Sequence, residues 1–206
     1  KVASADLTNY QLLKKIAKKN KPIILSTGAS TISEIKSTLN FLRQYKVDVI
    51  LNHCVLSYPA PLSSANLGML LNMSKEFPNI IGYSDHTVPD DDHLVLMCAV
   101  SLGATVLEKH FTLDKTMPGN DHYHSYDECD LKEFNKKIQT LRTITGKESK
   151  EVLEVELPAR ENARRSLVYF DNYSKGLILK EEMIVAKRPG TGISPSKFED
   201  FIQSFL

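Results

Sequence analysis

The sequence has little of what marks a specialised surface or compartment. Its 206 residues carry 26 basic and 25 acidic side chains. That near balance gives no call for nucleic acid or a membrane surface as partner. No apolar run approaches the roughly 20 residues of a membrane span. The opening Lys1-Val2-Ala3-Ser4 soon turns polar and does not read as a secretory signal. Cysteine is scarce. Cys54, Cys98 and Cys129 are odd in number and far apart, which fits a reducing cytoplasm better than a disulfide scaffold. Cys54 and Cys98 lie in apolar stretches and read as packing residues. What remains, 42% hydrophobic and 25% charged, is the composition of an ordinary globular protein.

The informative stretch is Ala104-Thr105-Val106-Leu107-Glu108-Lys109-His110-Phe111. It reads as a buried strand ending in ionisable side chains. Side chains alternate along a strand, so Glu108 and His110 share one face and Lys109 takes the other. Gly82-Tyr83-Ser84-Asp85-His86-Thr87 repeats the arrangement, with Ser84 and His86 on one face. Two strands that each deliver a histidine at the C-terminal end point to a site on a parallel sheet.

Around these two units the chain alternates strand and helix. Lys1 to Asp6 reads as the end of a strand, and residues before Lys1 are expected. A helix capped by Thr8 or Asn9 runs to about Lys19. The strand 22–28 follows, then a helix opened by a Thr31/Glu34 capping box. Next come the strand 47–54, a Tyr58-Pro59-Ala60-Pro61 loop, and a helix over about 65–77. Asp90, Asp91 and Asp92 suit the start of the helix that ends at Gly103. A polar loop over 114–125 leads to a helix with Leu131, Phe134, Ile138 and Leu141, which stops at Gly146. The strands are short and continuously apolar, as in parallel α/β sheets buried on both faces. From Lys147 the pattern changes. A connector over 147–160 contains a boundary near residue 155, and 161–206 forms a tail with strands predicted at 166–170, 175–179 and 184–190.

Taken together, several elements resemble the sialic acid synthase family, the enzymes that make nonulosonic acids. They are Leu25-Ser26-Thr27-Gly28, His53-Cys54, Tyr58-Pro59-Ala60-Pro61, Ser84-Asp85-His86-Thr87, Glu108-Lys109-His110-Phe111, Pro118-Gly119-Asn120-Asp121 and Lys187-Arg188-Pro189-Gly190-Thr191-Gly192. The resemblance covers nearly the whole chain. It implies an α/β fold: strands four to eight of a (β/α)8 TIM barrel in 1–146, and a small β-rich antifreeze-like (SAF) domain, cut short, in 161–206. The expectation is therefore a longer native protein.

The resemblance further implies a condensation of phosphoenolpyruvate with N-acetylmannosamine or a related N-acylated amino sugar, with release of phosphate; the alternative is a catalytically incompetent or sugar-binding remnant of such a synthase. A divalent metal, Mn²⁺ or Mg²⁺, and a domain-swapped homodimer come with it. By the same resemblance, Lys1, Ser4, Ser26 and Ser84 hold phosphoenolpyruvate and His86 and His110 hold the metal. Asp6, Tyr58 and Asp121 face the sugar, with Asp6 shorter than the family's usual Glu. Arg188 reaches the N-acyl group from across the dimer. Leu56 departs from a position that is polar in many members. Read from the residues, Glu108 either orients a metal ligand or bridges barrel strands. The His122-x-His124 pair beside Asp121 either binds a metal by itself or, as is commoner in a flexible loop, is incidental, and His53 and His93 are unassigned.

Overall fold

The computed structural model describes residues 1–203. These divide into two compact units, Lys1–Gly146 and the described residues from Lys147 on. In the first unit the elements are α1 (Tyr10–Ala17), β1 (Ile23–Ser26), α2 (Ile32–Arg43), β2 (Val49–Cys54), α3 (Gly68–Glu76), β3 (Ile81–Asp85), α4 (Leu94–Ser101), β4 (Val106–Lys109) and α5 (Glu128–Thr145). The four strands are parallel and lie in chain order, β1-β2-β3-β4. Val2 adds a parallel bridge to Leu25, which places the chain start beside β1. A parallel sheet whose order never reverses has no topological switch point. It curls as a segment of a TIM barrel rather than a doubly wound sheet.

Local chemistry sets these elements. The α2 helix opens with the reciprocal capping box expected: Thr31 Oγ1 accepts from the Glu34 amide, and the Glu34 carboxylate accepts from the Thr31 amide. A similar box, Asp127 with Asp130, starts α5. Asp90 accepts from the Leu94 amide and so starts α4. The α3 helix is shorter than expected. A 3₁₀ turn at Leu62–Ser64 precedes it, and it begins at Gly68.

The core lies between the sheet's outer face and the helices. Leu25, Leu51, Ile81 and Tyr83 from the strands meet Leu13, Ile35, Leu42, Leu70, Leu96, Phe134 and Ile138. Leu13, Leu25 and Leu51 are wholly buried. Each such leucine contributes about 1.5–3 kcal/mol of burial. The opposite face carries Ser26, Asn52, Ser84 and Glu108 toward the strand ends, beyond Ile24, Ile50 and Val106. A Cβ at Gly82 would stand 2.3 Å from Asn52 Oδ1 and 2.5 Å from the Val106 carbonyl oxygen. Glycine is therefore what lets β3 lie flush between β2 and β4 there.

The second unit holds α6 (Leu157–Ala163), β5 (Ser166–Tyr169), β6 (Ile184–Lys187) and α7 (Phe198–Gln203). The two strands form an antiparallel pair. Two expectations change here. The connector's end is helical, with α6 running from Leu157 on to Ala163, and 175–179 is not a strand. Leu177 and Ile178 are exposed and have no ladder, and β character depends on a neighbour to pair with. Among the described residues no helix is long and apolar enough to cross a membrane.

Candidate active site

The site is built where β3 and β4 end side by side, with Ser84 opposite Glu108 and Asp85 opposite Lys109. Alternation splits the side chains between two faces. On the outer face, Lys109 Nζ lies 2.7 Å from Asp85 Oδ2, with both side chains buried. Asp85 also accepts from the Tyr83 hydroxyl, the Thr87 amide and the Thr87 hydroxyl. Lys109 also donates to the Thr87 carbonyl and sits 5.5 Å from the centre of the Tyr126 ring. Burial pulls the Lys109 pKa down, and the Asp85 carboxylate opposes that pull. This buried pair ties the ends of β3 and β4 together, and thereby fixes the residues that flank it.

Those flanking residues face the other way. Ser84 Oγ donates to Glu108 Oε1 at 2.8 Å, and Lys1 Nζ lies 3.0 Å from the same oxygen. Lys1, Ser84 and Glu108 thus form one connected polar group at the strand ends. Nearby, Ser4 Oγ accepts from the Gly28 amide at 2.9 Å and lies 2.9 Å from Cys54 Sγ. Ser26 Oγ and the Asn52 side-chain amide are buried with no hydrogen-bond partner.

Just beyond the strands, aromatic and imidazole rings gather. His86 Nδ1 lies 2.7 Å from the Val55 carbonyl oxygen. A carbonyl only accepts, so Nδ1 carries the proton and Nε2 keeps its lone pair. The His86 and His110 rings are 5.4 Å apart, as are those of His110 and His124. Tyr58 packs 4.2 Å from His86 and 5.7 Å from His110. Asp121 Oδ2 lies 3.6 Å from His110 Nδ1, and its Oδ1 lies 3.9 Å from His124 Nε2. Burial lowers the His86 pKa, against the Val55 carbonyl, which raises it. Burial also raises the Tyr58 pKa, with Cys54, Asp121 and Glu108 adding to the effect.

The residues expected from sequence fall into four sets. Lys1 and Ser84 meet at Glu108, while His86, His110, Tyr58 and Asp121 form the ring cluster. Ser4, Ser26 and Asp6 are engaged differently. The Ser4 hydroxyl holds the Gly28 loop, Ser26 is buried, and Asp6 accepts locally from Asn9 Nδ2. Arg188 belongs to the second unit, where it is exposed beside Pro189. Leu56 is 46% exposed.

Glu108 takes the ion-pair role with Lys1 in place of orienting a histidine. The His122/His124 pair divides. His122 Nδ1 bonds the Thr112 hydroxyl, while His124 is wholly buried in the ring cluster. The other two histidines serve the core: His53 bonds the Ala65 carbonyl and His93 bonds the Tyr126 hydroxyl.

Comparison with known proteins bears on the fold and the family. The chain is 43% identical over 194 residues to an uncharacterized protein of Methanocaldococcus jannaschii, covering 94% of this chain and 57% of the relative. It is 40% identical over 205 residues to the N,N'-diacetyllegionaminic acid synthase of Campylobacter jejuni, covering 98% and 60%. The chain thus spans under two thirds of the length of these relatives. The crystal structure of N-acetylneuraminic acid synthetase from Leptospira borgpetersenii superposes with a TM-score of 0.70 at 32% identity, covering 76% of this chain and 54% of that one. The family profile for NeuB matches residues 1–150. With its parallel barrel segment and its cluster of ionisable groups at the strand ends, this chain belongs to the NeuB family.

Proposed function

We propose that the protein is a nonulosonic acid synthase. It joins phosphoenolpyruvate to an N-acylated amino sugar of the N-acetylmannosamine class and releases phosphate. The observation that carries this reading is the pairing of two groups at one set of strand ends. Lys1 and Ser84, both gathered by the Glu108 carboxylate, offer a cation and a hydroxyl for a polyanion, and the imidazole–carboxylate cluster lies beside them.

In this reading Lys1, Ser4, Ser26 and Ser84 hold phosphoenolpyruvate. Lysine serves as a point charge, and hydroxyls donate without bulk. Asp6, Tyr58 and Asp121 line the sugar. The alkene carbon of phosphoenolpyruvate attacks the sugar aldehyde, and the aldehyde oxygen takes up a proton. Water then attacks the resulting oxocarbenium carbon, and the phosphate leaves to give a 2-keto acid. In this reading Asp121 or Asp6 moves a proton in these steps.

The donor set fits a divalent metal, Mn²⁺ or Mg²⁺. His86 Nε2 is unprotonated and His110 stands beside it. When bound, such an ion polarises the aldehyde or lowers the pKa of water. The second unit takes the role of an antifreeze-like domain, with Arg188 reaching the N-acyl group across a domain-swapped homodimer.

The test is product analysis by mass spectrometry after incubation with phosphoenolpyruvate, N-acetylmannosamine and Mn²⁺. The expected product is a 2-keto acid extended by the pyruvyl unit. His110→Ala abolishes it while leaving the circular dichroism spectrum unchanged. Product formation undiminished in that variant removes His110 from the site.

A further inference from the structure

His93 holds a backbone conformation that histidine rarely adopts. It precedes α4 with φ 53° and ψ 34°, in the left-handed region. That region is unfavourable for a residue with a Cβ, so its surroundings must hold it there. Capping of the helix is not the reason. The His93 side chain makes no cap bond, and Asp90 accepts from the Leu94 amide instead. The His93 ring is buried, with Nδ1 2.7 Å from the Tyr126 hydroxyl. It meets the Tyr126 and Phe134 rings edge-on, with centroids 5.1 Å and 5.7 Å away. The turn that carries it is also tied to α5, because Lys137 Nζ donates to the Asp91 carbonyl and lies 3.3 Å from Asp92 Oδ1.

Tyr126 connects this buried bond to the site. Its amide donates to the His110 carbonyl at 2.8 Å, and its carbonyl accepts from the Thr112 amide at 2.8 Å. It thus grips the chain leaving β4 on both sides of Phe111. That grip closes the loop 113–125 at its two ends. Within the closure, Thr112 Oγ1 lies 2.7 Å from His122 Nδ1, and Ser125 Oγ donates to the Asp121 carbonyl at 2.5 Å. Asp121 Oδ2 in turn stands 3.6 Å from His110 Nδ1. The loop around Asp121 is therefore anchored through Thr112, which Tyr126 holds, and Ser125, its neighbour in the chain. Burial, with Asp85, Asp90 and Asp130 adding to it, raises the Tyr126 pKa, so the hydroxyl keeps its proton at neutral pH. The Lys1–Ser84–Glu108 group is held differently, by strand pairing and its own polar bonds.

We propose that His93 and Tyr126 are positioning residues. Their buried bond latches the loop between β4 and α5, so that Asp121 is presented to His110, and it governs binding of the amino sugar but not of phosphoenolpyruvate. Neither side chain touches substrate; the effect passes through the Tyr126 backbone to His110 and Thr112. The bond joins segments 33 residues apart, which gives the turn before α4 control over a loop it does not belong to. The consequence for the sugar rests on the synthase reading. The latch does not, and it is read first without substrate so that the two stand or fall separately.

Tyr126→Phe removes the hydroxyl and keeps the ring that packs against Phe134 and Lys109. Amide hydrogen exchange of the intact protein, without substrate or metal, is measured first. The expected result is exchange about fivefold faster at Thr112 and Tyr126, the worth of one hydrogen bond, with the amides of β1 and β2 unchanged. Equal acceleration throughout the first unit, or none at those two amides, overturns the proposal. Steady-state kinetics follow, with the KM for N-acetylmannosamine raised about fivefold and that for phosphoenolpyruvate within about twofold of the native value. A pair that only stabilised the fold would not separate the two constants. Parallel changes in both, or an unchanged sugar KM, overturn the proposal. His93→Asn suits the left-handed backbone and is too short to reach the hydroxyl. It is expected to give the same pattern, and it carries both measurements should Tyr126→Phe fail to fold. In the His93→Asn background Tyr126→Phe is expected to add nothing, whereas an effect that persists there in full overturns the latch. Absence of turnover by the native protein with any amino sugar counts against the synthase reading, and the exchange result then decides the latch alone.

Discussion

Replacing Lys109 by methionine tests what holds the site together. Lys109 and Asp85 are both buried and 2.7 Å apart. Removing one partner of a buried pair costs about 3–5 kcal/mol, because the other charge stays behind. Asp85 would keep its bonds from Tyr83, from the Thr87 amide and from the Thr87 hydroxyl. Those donors soften the loss, so Lys109→Met is expected at the lower end, ~3 kcal/mol. For a chain of this size that corresponds to a melting point lower by about 6–12 °C. Urea unfolding followed by circular dichroism reads the change as a lower midpoint at unaltered slope. Asp85→Asn and the double variant complete a cycle, with a coupling of about 1 kcal/mol or more between the positions. A loss under ~0.5 kcal/mol in Lys109→Met, the scale of an ordinary surface change, or independent single effects, refutes the view that this pair clamps β3 to β4.

Other outcomes follow from the same geometry. Ser84→Ala takes a hydroxyl from the Lys1–Glu108 group and is expected to raise KM for phosphoenolpyruvate about tenfold, a loss of ~1.4 kcal/mol. Steady-state kinetics with an unchanged KM would contradict that role. Gly82→Ala drives a Cβ to 2.5 Å from the Val106 carbonyl oxygen, a backbone atom held in the sheet. A cost of about 1–3 kcal/mol is expected in urea unfolding, and a neutral result would show that β3 shifts freely against β4.

Acidification is expected to destabilise the protein. Burial lowers the pKa of His53, His86 and His124. Above the unfolded value of ~6.5 both states are neutral and stability is flat. As pH falls below it, the unfolded chain binds protons that the folded chain does not. Each histidine then costs up to ~1.4 kcal/mol per pH unit until its lowered folded pKa is reached. Urea midpoints that hold constant or rise between pH 7 and pH 5.5 would refute this.

Much of the first unit is legible in the sequence because its signals are local. Thr31 with Glu34 forms the box its spacing predicts, and α5 stops at Gly146. Alternation places Glu108 and His110 apart from Lys109, and the structure puts Lys109 against Asp85 on the outer face. What depends on the fold is not legible in this way. The register that sets Ser84 opposite Glu108 joins residues 24 apart, so the Lys1–Glu108–Ser84 group is not visible along the chain. His124 lies in a loop without periodicity, and only the path of that loop brings it beside His110. In the second unit, Leu177-Ile178-Leu179 has strand composition, but strand formation needs a pairing partner that composition does not report.

The most direct test of the synthase reading is phosphate release from phosphoenolpyruvate by the native protein, with and without an N-acylated amino sugar and with and without Mn²⁺. The expected result is release that requires both additions and stops on chelation. Release without sugar, or none with any N-acetylmannosamine-class sugar at saturating Mn²⁺, contradicts the proposed chemistry.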